Sequence, residues 1–524
     1  MRGGPRLVDE IVERLRPLEV ELAAAWWESS TRVSPEAEQR RVTADVARRE
    51  LLADPAALGE IRAAREVTDD AVVRRQLDLL HDAFLANQVP EDDRRRLAEL
   101  EAALDSTYNA FRGRVDGRVL DDNEIARILR TSNDTDERRA AWEASKQVGA
   151  EVAGRVRELA HLRNQTARSS GFRDHFALSL AVSELDEDRL LTTLDEVDAA
   201  TGKPFAEWKQ ELDDALVERF GLSAATELRP WHLDDPFFQE PPVAGSIDLD
   251  ELFADADVER LARDTYAGIG LDVEGVLERS DLHPREGKSQ HAFCIDIDRE
   301  GDVRVLANIE PNERWMGTML HELGHAVYDR ETDRTLPWLL RGAAHPLATE
   351  GIAMLLGRLS RDPEWLHAVV GLEPERLETL APQLERMQRV ALLVFARWVL
   401  VMTHFERALY ADPDTDLDVV WWDLVERYQL VRRPDRVAPD WAAKIHLAVA
   451  PVYYQNYLYG ELVASQLSAT LRERVGGIVG RRAAGTYLVD EVFRRGAALR
   501  WDALVEQATG EPLTARHLAA ELLA

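Results

Sequence analysis

Residues 312–325, NERWMGTMLHELGH, indicate both the local secondary structure and a metal site. Their apolar residues recur at the spacing of an amphipathic helix, and Asn312 is placed to cap that helix. His321 and His325, four positions apart, point their imidazoles in the same direction and can bind one zinc ion. Glu322 lies beside the open coordination position, where a general base that activates water is needed. The stretch therefore predicts a catalytic site with one Zn²⁺ per chain, inside a helix.

A catalytic zinc site also needs a third protein ligand. Residues 346–356, PLATEGIAMLL, form an apolar helical run, and Glu350 is its first acidic residue, 29 positions after His321. We expect Glu350 to reach the metal from this second, packed helix. His345 is the alternative ligand, but the proline that follows it places it at the start of the helix. Glu350 could also be an ordinary acidic residue near a helix start.

Composition limits the class of protein. The 524 residues contain no Gly/Ser-rich or Pro-rich linker, which favours a single catalytic domain over residues 1–524. The net charge of −31 argues against nucleic acid or an anionic membrane as a partner. The single cysteine, Cys294, excludes an internal disulfide framework and suggests a reducing compartment. With no signal-peptide core and no long apolar run, we expect a cytoplasmic protein. The oligomeric state stays open.

Helical spacing dominates the chain. Charge-rich amphipathic stretches from about residue 5 to 101 are interrupted at Pro35, Pro55 and Pro90, and Asp134 and Asp186 are reasonable caps for two later helices. Alternating apolar residues at 291–297 and 302–306, on either side of a turn that contains glycine, predict a β-hairpin. The predicted fold is mostly α, with one small hairpin beside the zinc site.

Several motifs with no chemical relation to one another keep the order found in one family. HELGH is preceded by His291-Ala292 at 30 positions and followed by Trp421-Trp422-Asp423-Leu424, Lys444-Ile445-His446 and Tyr454-Gln455-Asn456-Tyr457. In these motifs the chain resembles the peptidyl-dipeptidase A (angiotensin-converting enzyme) family of zinc peptidases. It is similar, more distantly, to thimet oligopeptidase. The resemblance implies a large two-lobed helical metallopeptidase with a deep central cleft. Residues of about 1–100 would cover the cleft, and about 285–470 would hold the zinc and substrate site.

The resemblance also implies roles for particular residues. It assigns the zinc to His321, His325 and Glu350, and the catalytic base to Glu322. The other assignments fall into three groups: oxyanion donors, contacts to the substrate's C-terminal carboxylate, and contacts along the peptide backbone on the free edge of the strand. The oxyanion donors would be His446 and Tyr457. The contacts to the carboxylate would be Lys444, Tyr454 and Gln239, and those along the backbone would be His291 and Ala292.

One departure from the family concerns the support of a zinc-binding histidine. The family usually has an aspartate four residues after its glutamate ligand, and Met354 occupies that place here. Another acceptor, such as Asp329, would then have to orient the imidazole.

Each of the residues assigned by resemblance also has an ordinary structural interpretation. Tyr454 and Tyr457 could be helix-packing aromatics, His446 a core histidine and Lys444 a surface lysine. Cys294, in the predicted strand, is expected to be a small apolar residue rather than a nucleophile.

The hypothesis that follows is a zinc peptidase acting on short peptides, with release of C-terminal dipeptides as the favoured mode because Lys444 offers an anchor for a carboxylate. General oligoendopeptidase and metallocarboxypeptidase action are the alternatives within this class. From a different class, the remaining alternative is a non-catalytic helical binding protein.

Overall fold

A computed structural model describes residues 3–32, 34–242 and 249–523, and these residues are mostly α-helical, as predicted. The helices in chain order are α1 (Gly4–Thr31), α2 (Pro35–Leu52), α3 (Pro55–Val67), α4 (Ala71–Ala86), α5 (Glu91–Ala110), α6 (Asp122–Thr131), α7 (Thr135–Ser169), α8 (His175–Val182), α9 (Glu187–Phe220), α10 (Asp250–Phe253), α11 (Val258–Gly268), α12 (Glu274–Leu277), α13 (Glu313–Glu331), α14 (Pro346–Gly357), α15 (Pro363–Trp365), α16 (Pro374–Ala411), α17 (Leu417–Gln429), α18 (His446–Val449), α19 (Tyr454–Val475), α20 (Arg482–Glu491), α21 (Trp501–Thr509) and α22 (Arg516–Leu523).

The helices begin where the local sequence predicts. Pro35 and Pro55 occupy the first positions of α2 and α3, where the missing backbone N–H costs nothing. Asp134 and Asp186 accept hydrogen bonds from backbone N–H groups in the first turns of α7 and α9. Asn312 does the same for α13, accepting from the N–H of Trp315 at 2.9 Å. The predicted caps are confirmed.

The described residues contain two small antiparallel hairpins: the predicted one beside the candidate zinc site, and a second one that the sequence patterns did not predict. Strands β1 (Gly113–Val115) and β2 (Arg118–Leu120) are joined by Asp116 and Gly117, both with positive φ, at 50° and 82°. An Asp-Gly pair is the usual sequence of such a two-residue turn. Each strand has three residues, too few to show the alternation of apolar and polar residues that predicts a strand.

The predicted hairpin is present but shorter than expected. Strand β3 (Phe293–Asp296) pairs with β4 (Val303–Leu306), with Phe293 opposite Leu306 and Asp296 opposite Val303. The turn contains Gly301 at φ 113°. His291 and Ala292, predicted to lie in the strand, precede it.

Contacts divide the chain into two compact units. Unit 1 comprises Met1–Gln88, Ile247–Glu385 and Tyr459–Leu518; unit 2 comprises Val89–Ser246, Arg386–Leu458 and Ala519–Ala524. Neither predicted functional region coincides with a unit, because residues 1–100 and 285–470 each contribute to both. The single catalytic domain over residues 1–524 stays a prediction.

Helix α13 lies in the core of unit 1, packed against α11, α14 and both strands of the second hairpin. Its predicted apolar stripe is buried at Met316, Leu320 and Leu323, while Trp315 is only half-buried. The contact with α14 is close because Gly324 has no side chain: a Cβ atom added there would lie 2.9 Å from the Cα of Ala353. This approach brings the middle of α14 against the HELGH turn.

One helix within the described ranges, α16, has a stretch apolar and long enough to cross a membrane by composition alone. In the fold, 72% of that 18-residue stretch is buried. Such burial is typical of a core helix, and it is the role we assign to α16.

The close approach of α13 and α14 predicts the effect of adding one methyl group. Gly324→Ala should force the two helices apart and lower the free energy of unfolding by about 1–3 kcal/mol, the usual cost of overpacking. Gly59→Ala is the matched control: Gly59 lies on the exposed face of helix α3, where an added Cβ meets nothing within 4 Å. That control should raise stability by about 0.4–1 kcal/mol. Urea unfolding measures the change in the free energy of unfolding in both variants. An equal change in Gly324→Ala and Gly59→Ala would contradict the close packing of α13 against α14.

Candidate active site

The structure brings the three predicted zinc ligands together in unit 1. His321 and His325 lie one turn apart on α13, and Glu350 faces them from α14. The Nε2 atoms of the two histidines are 3.2 Å apart. Oε2 of Glu350 lies 3.6 Å from Nε2 of His321 and 4.0 Å from Nε2 of His325. Within the described part of the chain, this is the group of potential ligand atoms that converges on one point.

The donor set fits zinc. Ligand atoms about 2.0–2.2 Å from a tetrahedral ion lie roughly 3.3–3.6 Å from one another, close to the separations seen here. Burial lowers the pKa of His321 to about 4 and, with the nearby His321, that of His325 to about 3. Both imidazoles are therefore neutral near pH 7, and each can offer a lone pair to a cation.

His325 is oriented by a residue that the sequence analysis missed. Nδ1 of His325 lies 2.7 Å from the hydroxyl of Thr349, which directly precedes Glu350 on α14. With the proton on Nδ1 donated to this hydroxyl, Nε2 is left free to face the other ligands. Asp329, the acceptor suggested above, is instead buried beside Asp296. The sequence contained one signal for this contact, a threonine directly before the expected ligand Glu350.

Glu322 is placed as expected for a base that is not itself a ligand. Its side chain is only 8% exposed, and the backbone N–H of Cys294 on β3 donates to its carboxylate. Burial, followed by the charge of Glu350, raises the pKa of Glu322 to about 8. Burial, followed by the charge of Glu461, likewise raises the pKa of Glu350 to about 7. Two carboxyls that resist ionisation side by side indicate a site suited to a cation.

His345, the alternative ligand, has another role. It is the N-cap of α14, and its Nδ1 accepts a hydrogen bond from the N–H of Leu347 at 3.1 Å. A capping imidazole at the helix start lies outside the group formed by His321, His325 and Glu350.

The residues assigned to the substrate carboxylate lie together in unit 2. Nζ of Lys444 donates to Oε1 of Gln239 at 2.9 Å. Lys444 is 8% exposed, and the centres of the Phe237, Trp398 and Tyr454 rings lie 5.2, 5.2 and 5.8 Å from Nζ. The interpretation of Lys444 as a surface lysine is therefore wrong. Burial lowers its pKa to about 8, against the opposing influence of Asp235 and Glu240.

The two candidate oxyanion donors adjoin this group. The His446 ring lies 5.0 Å from the ring of Tyr454, and the Tyr457 ring lies 5.7 Å from it. Burial and the nearby Lys444 lower the pKa of His446 to about 4, which makes its imidazole neutral. Tyr454 is buried and Tyr457 half-buried, and both rings pack against neighbouring aromatic rings.

His291 and Ala292 lie in unit 1, directly before β3. His291 is exposed and Ala292 half-buried. The next residue, Phe293, packs edge-on against Trp26 and Trp27 of α1, with ring centres 6.3 and 6.2 Å away. β3 has one strand partner within the described chain, so its other edge has no strand alongside it.

Comparison with known proteins agrees with this geometry. The family model described as angiotensin-converting enzyme matches residues 5–205, and that of peptidase family M3 matches residues 276–522. The angiotensin-converting enzyme-related protein of Drosophila melanogaster is 23% identical over 242 residues, covering 42% of this chain. These matches support a relation to the angiotensin-converting enzyme-like and M3 families of metallopeptidases, each family model covering less than half of the chain. The alignment spans 38% of the length of the Drosophila protein.

The contact between His325 and Thr349 predicts a change in metal affinity. Thr349→Val keeps the shape of the side chain but removes the hydroxyl, and zinc affinity should fall by about 10–100-fold because the imidazole loses its orienting partner. Thr349→Ser, which retains the hydroxyl, should stay close to the wild type. Competition with a chromophoric chelator measures both; an unchanged affinity in the valine variant would mean that Thr349 does not orient the ligand.

Proposed function

We propose that the protein is a zinc-dependent peptidase that hydrolyses short peptides and releases dipeptides from their C-termini. The convergence of His321, His325 and Glu350, with Glu322 buried beside them, is the observation that carries this proposal. Both matching families are metallopeptidases, which supports the same class of activity.

The chain supplies the ligands and the proton transfers. His321, His325 and Glu350 would hold the ion. Zinc, when bound, polarises the scissile carbonyl and makes water more acidic. Glu322 accepts a proton from the attacking water and then donates it to the leaving amine. Burial raises the pKa of Glu322, which helps the carboxyl hold the proton until the leaving amine takes it, while a cation bound by His321, His325 and Glu350 would favour the ionised form that accepts the proton.

His446 and Tyr457 are proposed to donate hydrogen bonds to the developing oxyanion. A neutral imidazole keeps one N–H to donate, and the phenol keeps its O–H. Burial disfavours charged side chains in this part of unit 2, as the lowered pKa of His446 indicates. Neutral hydrogen-bond donors are therefore favoured there.

Lys444, Tyr454 and Gln239 are proposed to bind the terminal carboxylate of the peptide. The ammonium of Lys444 is buried, yet its hydrogen-bond acceptor in the described residues is the neutral amide of Gln239 rather than a carboxylate. A buried cation with no carboxylate in a salt bridge is suited to an anionic group of a ligand. His291 and Ala292 would contact the peptide backbone beside the edge of β3.

General oligopeptidase cleavage is the second candidate, favoured by the match to peptidase family M3 over residues 276–522. Metallocarboxypeptidase action comes next, and a non-catalytic binding role is the most remote. From composition we further propose the cytoplasm as the compartment and short peptides, rather than nucleic acid or membrane, as partners.

The two acidic residues of the site should respond differently to substitution. Glu322→Gln should retain zinc and lower kcat by about 10²–10⁴-fold, because only the proton acceptor is lost. Glu350→Ala should lose zinc and activity together, because a ligand is removed. Zinc content and hydrolysis of a fluorogenic peptide, measured on both variants, separate the roles. A fully active Glu322→Gln variant with zinc bound would remove Glu322 from catalysis.

The mode of cleavage can be tested with the substrate's C-terminus. If Lys444 binds a free carboxylate, amidating the peptide should lower kcat/KM for cleavage of the penultimate bond by about 10–100-fold, the equivalent of roughly 1.5–3 kcal/mol for a charge-assisted bond. Lys444→Ala should be nearly indifferent to amidation. Mass spectrometry of the products reports the bond cleaved. Equal cleavage of free and amidated peptides by the wild type would favour an oligopeptidase.

A further inference from the structure

Four residues, 450–453, separate the short helix α18 from α19, and one of them has an unusual backbone geometry. Val452 has φ 53°, in the left-handed region, which a β-branched side chain rarely adopts. His446 lies at the start of α18, and Tyr454 begins α19 two residues after Val452. The conformation of Val452 thus sets the direction in which the chain enters the helix that carries Tyr454 and Tyr457.

Two buried side chains hold the backbone of Val452. Its N–H donates to Oε1 of Glu406 at 2.7 Å, and its carbonyl accepts from Nε2 of Gln455 at 2.5 Å. Glu406, on α16, and Gln455 are each 1% exposed. A backbone conformation that is unfavourable by itself persists where its surroundings fix it, and here both polar groups of the residue are fixed.

The other end of the same segment is also fixed from within unit 2. The guanidinium of Arg163, on α7, donates to the carbonyls of Leu447 and Ala448 at 3.1 and 2.6 Å. The chain from His446 to Tyr454 is therefore held on both sides by buried polar side chains. Glu406 is the partner that acts directly on the strained residue.

We propose that Glu406 is a positioning residue for the active site: by holding Val452 in its left-handed conformation, it sets the placement of Tyr454 and Tyr457 relative to His446. This inference rests on the function proposed above, in which these three residues contact the substrate. Glu406 holds the backbone of Val452 through this hydrogen bond, and its charge also contributes to the raised pKa of Tyr454.

The hydrogen bond requires an acceptor oxygen at the right reach, not a charge. Burial raises the pKa of Glu406 to about 8, and the carboxyl oxygen accepts from the N–H of Val452 in either protonation state. Glu406→Gln keeps an oxygen of the same reach. Glu406→Leu removes the acceptor, and Glu406→Asp keeps the carboxylate but shortens its reach.

The test combines these variants with Val452→Gly, because glycine adopts a positive φ without help. Glu406→Leu and Glu406→Asp should lower kcat/KM for a short peptide by on the order of 10–100-fold, the cost of displaced catalytic groups, with zinc content unchanged. Glu406→Gln should stay within about twofold of wild type. Adding Val452→Gly to either defective variant should restore most of the loss. A uniform loss in all Glu406 variants, or no rescue by glycine, would overturn the proposal.

A second measurement separates this inference from the proposed function. Amide hydrogen exchange across residues 446–457 should be faster in Glu406→Leu and Glu406→Asp, and close to wild type in Glu406→Gln. If the wild type hydrolyses no peptide but exchange follows this order, the peptidase function fails and the conformational role of Glu406 stands. If Glu406→Leu does not fold, Glu406→Asp carries the same comparison. Unchanged exchange in both defective variants would refute the role of Glu406.

Discussion

The close packing of two helices in unit 1 is the constraint on which the candidate metal site depends. Because Gly324 has no side chain, the backbone of α14 at Ala353 can lie directly against α13. A similar contact occurs on the other side, where a Cβ at Gly460 would lie 3.0 Å from the Cβ of Glu350. Glu350 therefore lies against α19, with its carboxylate close to His321 and His325 of α13. The glycine inside HELGH therefore supports the proposed site by allowing α14 to approach α13.

The same packing determines the electrostatics. Removing water from the site keeps both imidazoles neutral and raises the pKa values of Glu322 and Glu350. A dication in the middle would favour the charged form of the ligand carboxylate and repay part of its desolvation. Glu322 lies beside the ligands but outside their group, and burial raises its pKa as well. One feature, burial, thus prepares both the metal-binding and the proton-transfer residues.

Features encoded by short-range patterns were predicted from the sequence, and features that depend on contacts between distant segments were not. Asn312 and Glu350 follow from helix periodicity and capping, which a single segment reveals. The contact of Thr349 with His325 depends on how two helices are rotated against each other, which periodicity does not specify. The burial of Lys444 among aromatic rings depends on segments more than 200 positions apart, since its acceptor is Gln239. The missed hairpin had a signal, Asp116-Gly117, but its strands are too short for a pattern.

The most direct test of the proposed metal site is zinc K-edge X-ray absorption spectroscopy of the zinc-loaded protein, with the metal content measured on the same sample. We expect one zinc per chain, two imidazole nitrogens at about 2.0–2.1 Å, one carboxylate oxygen at about 2.0–2.2 Å and an oxygen from solvent in the remaining position. A sulfur ligand, which would implicate Cys294, or a third imidazole would contradict this expectation. So would a protein that takes up no zinc.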